Sequence, residues 1–345
     1  MQLTPGFYFD LDAADARACK HAAYLRDCPS IVAALDGLHA HCADLLEEAS
    51  RASTISPPGA LSGRAWLIGG GRESARNPQR CVIIGSRARI EAGSTLDVSV
   101  GDIFLGEDVV VEPGALVRGP AYIGAGCLLR HGAYIRQDVV LGERCVVGGE
   151  LKHVLALGDG ELPHHGYVGD SLLGFRAHFG CGAVAANLPL FEKSSIPIPI
   201  LVEATDGGGR GMVNYLLGRR KFGAVVGDGS QLGCGVVTEP GCLLAPQTHA
   251  YPLCRLPRGC YGPREILKNR PTVERAPLTG SYAYADGGVL VGTWEEDELA
   301  PLGSPRLDSP QSRRQMERSA ELDAVARALR RNAAAARRSS GGGFI

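Results

Sequence analysis

The chain has 345 residues, enough for one to three domains and a sizeable core. Its 36 Lys and Arg against 37 Asp and Glu leave no global charge excess, which argues against a polyanion-binding protein, so nucleic acid is not an expected partner. Glycine (47) and proline (21) together approach a fifth of the residues while aromatics are 6%, a composition suited to tight turns stacked on small residues.

The N-terminal MQLTPGFYFDLD has neither a basic n-region nor an apolar h-region, so no secretory signal is expected. No stretch approaches the ~18 apolar residues of a membrane span, and no membrane partner is expected. The eleven cysteines are odd in number, contain no CxxC, and several fall at apolar positions where a free thiol serves as a small hydrophobe. This usage fits a reducing, cytoplasmic compartment. After FYFDLD, the stretches ADARACKHAAYLRDC and SIVAALDGLHAHCADLLEEASRA predict two helices, an N-terminal helical cap over residues 1–60 followed by a linker over 61–80.

Between 105 and 150 the sequence falls into hexads. Leu105, Val111, Val117, Ile123, Leu129, Ile135, Leu141 and Val147 follow one another at a step of six. Four residues after each of the first seven stand Val109, Ala115, Ala121, Cys127, Ala133, Val139 and Cys145, all small or β-branched. Neither an α-helix nor a simple strand has this period. Each hexad makes a short strand and a corner, and three hexads close one triangular coil. Coils stack at roughly 4.8 Å, with the aliphatic residue inward and the small one at the corner.

The pattern is detectable from Cys81, returns at Leu173 and Val226, and predicts a solenoid over 81–262. Two passages interrupt it: 149–166, which contains PHHGY, and an insertion over 188–221. Long excursions from a rigid repeat are usually functional or flexible. After about 265 the repeats fade into a C-terminal extension over 263–345. It carries a basic, Ala-rich helix over 311–338, with eight Arg and three acids, and a disordered SSGGGFI end. That helix reads as an exposed tail, with a partner-binding arm as the alternative.

The segments ELKHV, PHHGYVGDSLLG, GCGAVAANL, GRRKFGAVVGDG and TEPG occur in that order. Together they resemble the acetyltransferase domain of the bifunctional N-acetylglucosamine-1-phosphate uridyltransferase/glucosamine-1-phosphate acetyltransferase, a hexapeptide-repeat family, over about half the chain. The resemblance implies a mainly β fold, a left-handed parallel β-helix. It also implies acetyl-CoA as co-substrate, an amino sugar phosphate as acceptor, and a homotrimer with sites between subunits. No Gly-rich nucleotide loop followed by Thr-Arg occurs near the N-terminus, so nucleotidyl transfer is not expected of residues 1–80.

Carried over residue by residue, the resemblance makes His164 the proton acceptor and Tyr167 a sugar-phosphate ligand. Asn187 lies near the acetyl group, and Arg136 and Lys152 are cationic ligands of the substrate. The loop before Lys152 is about two residues short of the family pattern. His178 replaces a substrate-binding asparagine, Cys181 replaces a small residue whose backbone contacts the cofactor, and Cys234 stands in place of a cofactor-contacting serine.

The chemistry asks for these residue types. An imidazole with a pKa near 6.5 can take a proton from an attacking amine, Gly-rich corners or an amide can supply N–H groups to an oxyanion, and Arg and Lys suit a phosphate. Bland roles stay open: a solvated corner charge for Arg136, corner packing for Tyr167, a turn for Asn187, surface positions for His131, His165 and His178. Asp170 and Ser171 read as turn residues. No metal is expected, because a zinc site like that of the hexapeptide-repeat carbonic anhydrases needs two histidines five residues apart, and no two of the nine here have that spacing. Two function classes remain: the N-acetyltransferase, and a non-catalytic trimeric β-helix scaffold or regulatory subunit with a vestigial sugar-phosphate site.

Overall fold

The computed structural model describes residues 3–13, 19–52, 66–68, 80–191, 194–203, 210–269, 281–285 and 289–293. The chain divides into two units, residues 1–271 and 272–345. The first is a left-handed parallel β-helix whose short strands stack into three faces. Successive rungs of the first face include Leu116–Arg118, the start of Tyr134–Glu143, the start of Glu150–Gly158, the start of Tyr167–Leu173, and Val184–Ala185. The second face carries Ala121–Ile123 and the later halves of the three long strands, then Ala224–Val226 and Cys242–Leu244. The third carries Leu128–Leu129, Val146–Val147, Glu161–Leu162, His178–Phe179 and Gln231–Leu232.

The six-residue rhythm is the inner wall of this prism. Leu105, Ile123 and Leu141 line the second face, Val117 and Ile135 the first, and Val111, Leu129 and Val147 the third, all fully buried in one continuous core. Val109, Cys127 and Cys145 fill the inner corners behind them. The ladder runs further than 81–262: Trp66–Ile68, inside the expected linker, pairs in parallel with Thr95–Asp97, and Ile266–Leu267 pairs with His249–Ala250. Strands of two or three residues leave little sequence signal at either end.

Residues 149–166 are likewise a full coil and not an interruption. Leu116 pairs with Tyr134, a step of 18, but Tyr134 pairs with Glu150, a step of 16, and Glu150 with Tyr167, a step of 17. The shortening breaks the hexad count without breaking the pairing, because two residues (Gly148 and Gly149) join Val147 to Glu150 where four join Leu129 to Tyr134, and the next corner loses one more. Gln137 and Asp138 turn one coil from first to second face, whereas His153 alone turns the next, with a register shift between Arg136 and Val139.

The insertion leaves the solenoid after Val184–Ala185 and returns at Ala224–Val226. It contains an antiparallel hairpin, Pro197–Glu203 with Arg210–Leu216. Ile196, Ile198, Leu217 and Phe222 root it in the core, while Leu190, Phe191, Met212 and Leu216 are exposed.

Among its described residues the N-terminal segment forms, after a short 3-10 helix at Pro5–Phe7, three α-helices where two helices are predicted: α1 (Lys20–Asp27), α2 (Ile31–Asp36) and α3 (Leu38–Ala52). The long apolar stretch from Ile31 breaks at Gly37, and Ser30 caps α2 by accepting from the Ala33 N–H at 3.1 Å. These helices do not cap an end of the solenoid. They lie along its second face, with α3 against the strands Ile103–Leu105, Ala121–Ile123, Tyr134–Glu143 and Glu150–Gly158. Leu38, Cys42, Leu45 and Leu46 fall on one side of α3, joined by Leu25, Ile31 and Leu35. They share a second core with the outward-pointing Val140, Leu155, Leu172, Val225 and Leu243, so this face is buried on both sides. Runs such as VLAL and CLL, without polar alternation, are the corresponding sequence signal.

In the second unit the described residues form an antiparallel pair, Ser281–Ala285 with Val289–Thr293. The basic helix expected over 311–338 and the C-terminal end lie outside the described residues. Among the described residues, no helix is long and apolar enough to cross a membrane.

Leu155→Ala removes a fully buried side chain from the junction of helices and β-helix. It should cost about 2–5 kcal/mol in denaturant unfolding. A loss under about 1 kcal/mol would contradict the packing of the helices on this face.

Candidate functional site

The first face is the polar one. Alternation along each strand turns Arg118, Tyr134, Arg136, Glu150, Lys152 and Tyr167 outward, and parallel pairing aligns them across coils. Arg136 is in register with both Arg118 and Lys152, so three cations would line up if nothing intervened. Carboxylates intervene: Asp97 holds Arg118 Nε at 2.7 Å, and Glu150 is bonded to Arg136. Lys152 has no ion-pair partner among the described residues. The two-residue shortfall before it falls at the Gly148–Gly149 corner, between Val147 and Glu150, which leaves Lys152 stacked over Arg136 on the same face.

Tyr167 stands one coil further, paired with Glu150 on one side and Val184 on the other. Its hydroxyl converges with the Asn187 amide over Gly169. A Cβ built at Gly169 would lie 2.3 Å from the Tyr167 oxygen and 2.7 Å from Asn187 Nδ2, so only glycine leaves room for this meeting. Asn187 donates to the Asp170 carboxylate, and its NH₂ group lies beside the Tyr167 oxygen. Burial pushes the Tyr167 phenol above its ordinary range, the Asp170 and Glu150 charges add to the rise, and Arg136 with the Asn187 bond opposes it. Tyr167 is therefore a neutral hydroxyl at physiological pH.

His164 and His165 occupy the bend between the third and first faces, not a strand. Strand alternation, which would send adjacent side chains to opposite sides, does not apply, and both imidazoles are exposed. They differ in their neighbours. His165 Nδ1 lies 3.6 Å from Cys181 Sγ in the same corner of the next coil, where Gly182 N–H donates to the His165 carbonyl at 2.9 Å. His164, His165, Glu150 and Tyr167 line one crevice of about 10 Å³, room for no more than a water molecule.

Cys234 is exposed one coil beyond Cys181, whose carbonyl accepts from Gly235 N–H at 2.8 Å. His178 is placed elsewhere. It lies on the third face, its Nδ1 3.0 Å from Glu161, and so is not brought together with Arg136, Lys152 and Tyr167 within one chain. A separate cleft of about 400 Å³ between α1 and the corner of the second and third faces is lined by residues such as His21, Phe104 and Tyr122, and by none of the candidate residues. Among the described residues, no group of three or more His, Cys, Asp or Glu is arranged to hold a metal ion.

Glu150, Asp170 and Arg219 were not expected at this site. Glu150 could have been found, because it sits two residues before Lys152 and so shares its strand face. Asp170 carries the signature of a turn, and Arg219 belongs to the GRRK passage of the resemblance, which gives that residue no role of its own.

The fold and these corner motifs define a hexapeptide-repeat β-helix that resembles the acetyltransferase domain of bifunctional sugar-1-phosphate enzymes. Curated relatives agree. The bifunctional protein GlmU of Methanococcus vannielii is 35% identical over 111 residues, 32% of this chain and 24% of the relative. A bifunctional sugar-1-phosphate nucleotidylyltransferase/acetyltransferase of Sulfurisphaera tokodaii is 31% identical over 154 residues, 44% and 36% of the two chains. The uncharacterized acetyltransferase YaiX of Escherichia coli is 27% identical over 178 residues, 50% of this chain and 73% of the relative. The matches to the two bifunctional proteins span about a quarter to a third of those proteins' length. No protein-family model matches the chain. The similarity to the Sulfurisphaera tokodaii and Escherichia coli proteins, both named as acetyltransferases, supports an acyltransferase family.

Spectrophotometric titration of the chain against Tyr167→Phe should assign Tyr167 a midpoint above the ordinary phenol value of about 10. A midpoint at or below that value would show that the phenol is not buried beside Asp170 and Glu150.

Proposed function

We propose that this chain is an acetyl-CoA-dependent N-acetyltransferase of an amino sugar phosphate, glucosamine 1-phosphate or a close analogue, working as a cytoplasmic homotrimer in sugar-nucleotide synthesis. The observation that carries the reading is the gathering of Arg136, Lys152, Tyr167 and Asn187 on one outer face, with His164 in the crevice that Tyr167 also lines. Arg136 and Lys152 would take the phosphate, with the sugar displacing Glu150 from Arg136 or hydrogen-bonding to it. Tyr167 would donate to the substrate's oxygens. His164 would accept the proton of the amine as its nitrogen attacks the acetyl carbon of the thioester, and the CoA thiolate leaves. Asn187 and the N–H groups of the corner at Cys181 and Gly182 are donors of the kind an oxyanion requires. Cys234, exposed one coil further, would lie along the cofactor. His178, on the third face, would serve only a site shared with a neighbouring chain.

The crevice is too small for the substrate and the polar face is open, which favours a site completed by a second chain. The exposed Leu190, Phe191, Met212 and Leu216 of the insertion supply apolar surface for such a contact. The scaffold reading draws on the Arg136–Glu150 pair, which satisfies one phosphate ligand internally. CoA release from acetyl-CoA with a panel of amino sugars, glucosamine 1-phosphate first, separates the two. Release with none of them would favour the scaffold.

Light scattering should give a trimer whose mass does not change on dilution through the micromolar range, and a monomer would remove the shared site. Within that trimer, His164→Ala should lower turnover by about 10²–10⁴ while leaving acetyl-CoA affinity intact. His165→Ala, whose imidazole rests on Cys181, should stay within about tenfold of the unaltered protein. The reverse order would move the base to His165.

A further inference from the structure

Asp170 is buried, 4% exposed, in a left-handed corner with φ of 46°. Aspartate tolerates that conformation, and a turn would explain it if the side chain faced solvent. Here the carboxylate is enclosed, and a buried charge needs partners. It has two. Oδ2 accepts from Asn187 Nδ2, and Oδ1 lies 3.4 Å from Arg219 Nη2. Arg219 is itself tightly held: Nε donates to the Lys221 carbonyl at 2.6 Å, and Nη1 bonds Asp36 at the end of α2 at 2.9 Å.

We propose that Arg219 and Asp170 are positioning residues that orient Asn187, and through it aim the Tyr167 hydroxyl at the amino sugar phosphate. The direction of the relay follows from donor chemistry. A carboxylate can only accept, so the Asn187 amide must present its NH₂ group to Asp170. The Tyr167 oxygen lies beside that NH₂ group over Gly169 and can only accept from it. With its oxygen engaged as an acceptor, Tyr167 has its own O–H left to donate, and the substrate is on that side. Arg219 keeps the Asp170 charge fixed and oriented. Its bond to Asp36 makes the N-terminal helices an outer brace of the site, a role that the solenoid repeat alone would not require.

This inference rests on the proposed acceptor binding at Tyr167, so its test uses one readout that depends on that reading and one that does not. In steady-state kinetics, Arg219→Gln and Tyr167→Phe should each raise KM for the amino sugar phosphate by about tenfold, the worth of one hydrogen bond to a charged group. KM for acetyl-CoA and kcat should change little, as expected when an interaction is made equally in the ground and transition states. The double variant should be no worse than Tyr167→Phe alone, because both remove the same bond. Arg219→Lys, which keeps the charge, should retain more than Arg219→Gln. Additive losses, or a KM unmoved in Arg219→Gln, would overturn the relay. If the unaltered protein acetylates no amino sugar, the acceptor reading fails and the Tyr167 titration decides alone. Removing the guanidinium leaves the Asp170 charge uncompensated and loosens Asn187, and both changes push the phenol upward. An unmoved midpoint in folded Arg219→Gln would show that Arg219 only fastens the helices. If Arg219→Gln does not fold, the same titration is read on Asn187→Ala: an upward shift sustains the relay and no shift overturns it.

Discussion

Parallel pairing of each coil with the next constrains the rest of this molecule. Backbone N–H and C=O groups of one rung are satisfied only by the rungs on either side, so residues at equivalent positions are forced to within one strand spacing of each other. Inside the prism this stacks aliphatic on aliphatic, Leu105 on Ile123 on Leu141, and each full burial contributes about 1.5–3 kcal/mol. Outside it, the same rule stacks whatever the sequence provides. On the second face that is Val140, Leu155 and Leu172, an apolar stripe that water would penalise and that the helices cover. On the first it is Arg118, Arg136 and Lys152, whose mutual repulsion is relieved by Asp97 and Glu150.

The repeat was legible because it is enforced at every rung, and the inward ladder could be read from single letters. The failures have a common origin in places where the count changes but the pairing does not. Dropping two residues at the Gly148–Gly149 corner and one at the His153 corner shifts the hexad frame, so residues 149–166 looked like an excursion although they lie in the wall. The two terminal rungs were missed because a three-residue strand such as Trp66–Ile68 has no period of its own. The helices were recognisable, but a period of 3.6 shows that a face is apolar and not what covers it. Their seat on the side of the prism was recorded instead in the unalternating runs of the second face.

The candidate site divides in the same way. His164, Tyr167 and Asn187 were singled out through motif text, and Lys152 lies on the face its alternation requires. Sequence position could not show that His164 and His165 share a bend, nor that His178 faces away from Arg136. It also could not show that Arg219 crosses 49 residues to meet Asp170. Contacts between an insertion and the wall it leaves are set by tertiary packing, and no local period encodes them.

The edge between the first and second faces shows how these parts depend on one another. In three consecutive coils this corner is turned by Asp138, His153 and Asp170, each in the left-handed region where a non-glycine residue carries some strain. All three use their side chains toward the helices. His39 of α3 bonds Asp138 at 2.5 Å, and His153 donates through Nε2 to the Leu35 carbonyl of α2 at 2.8 Å. Asp170 reaches Asp36 of α2 through Arg219. The covered face and the polar face therefore meet along a line of hydrogen-bonded corners, and the third corner is also the one that holds Asn187. Glycine would turn these corners with less strain. The polar residues found there instead bind the helices to the solenoid, and at Asp170 the same contact fixes the amide beside Tyr167.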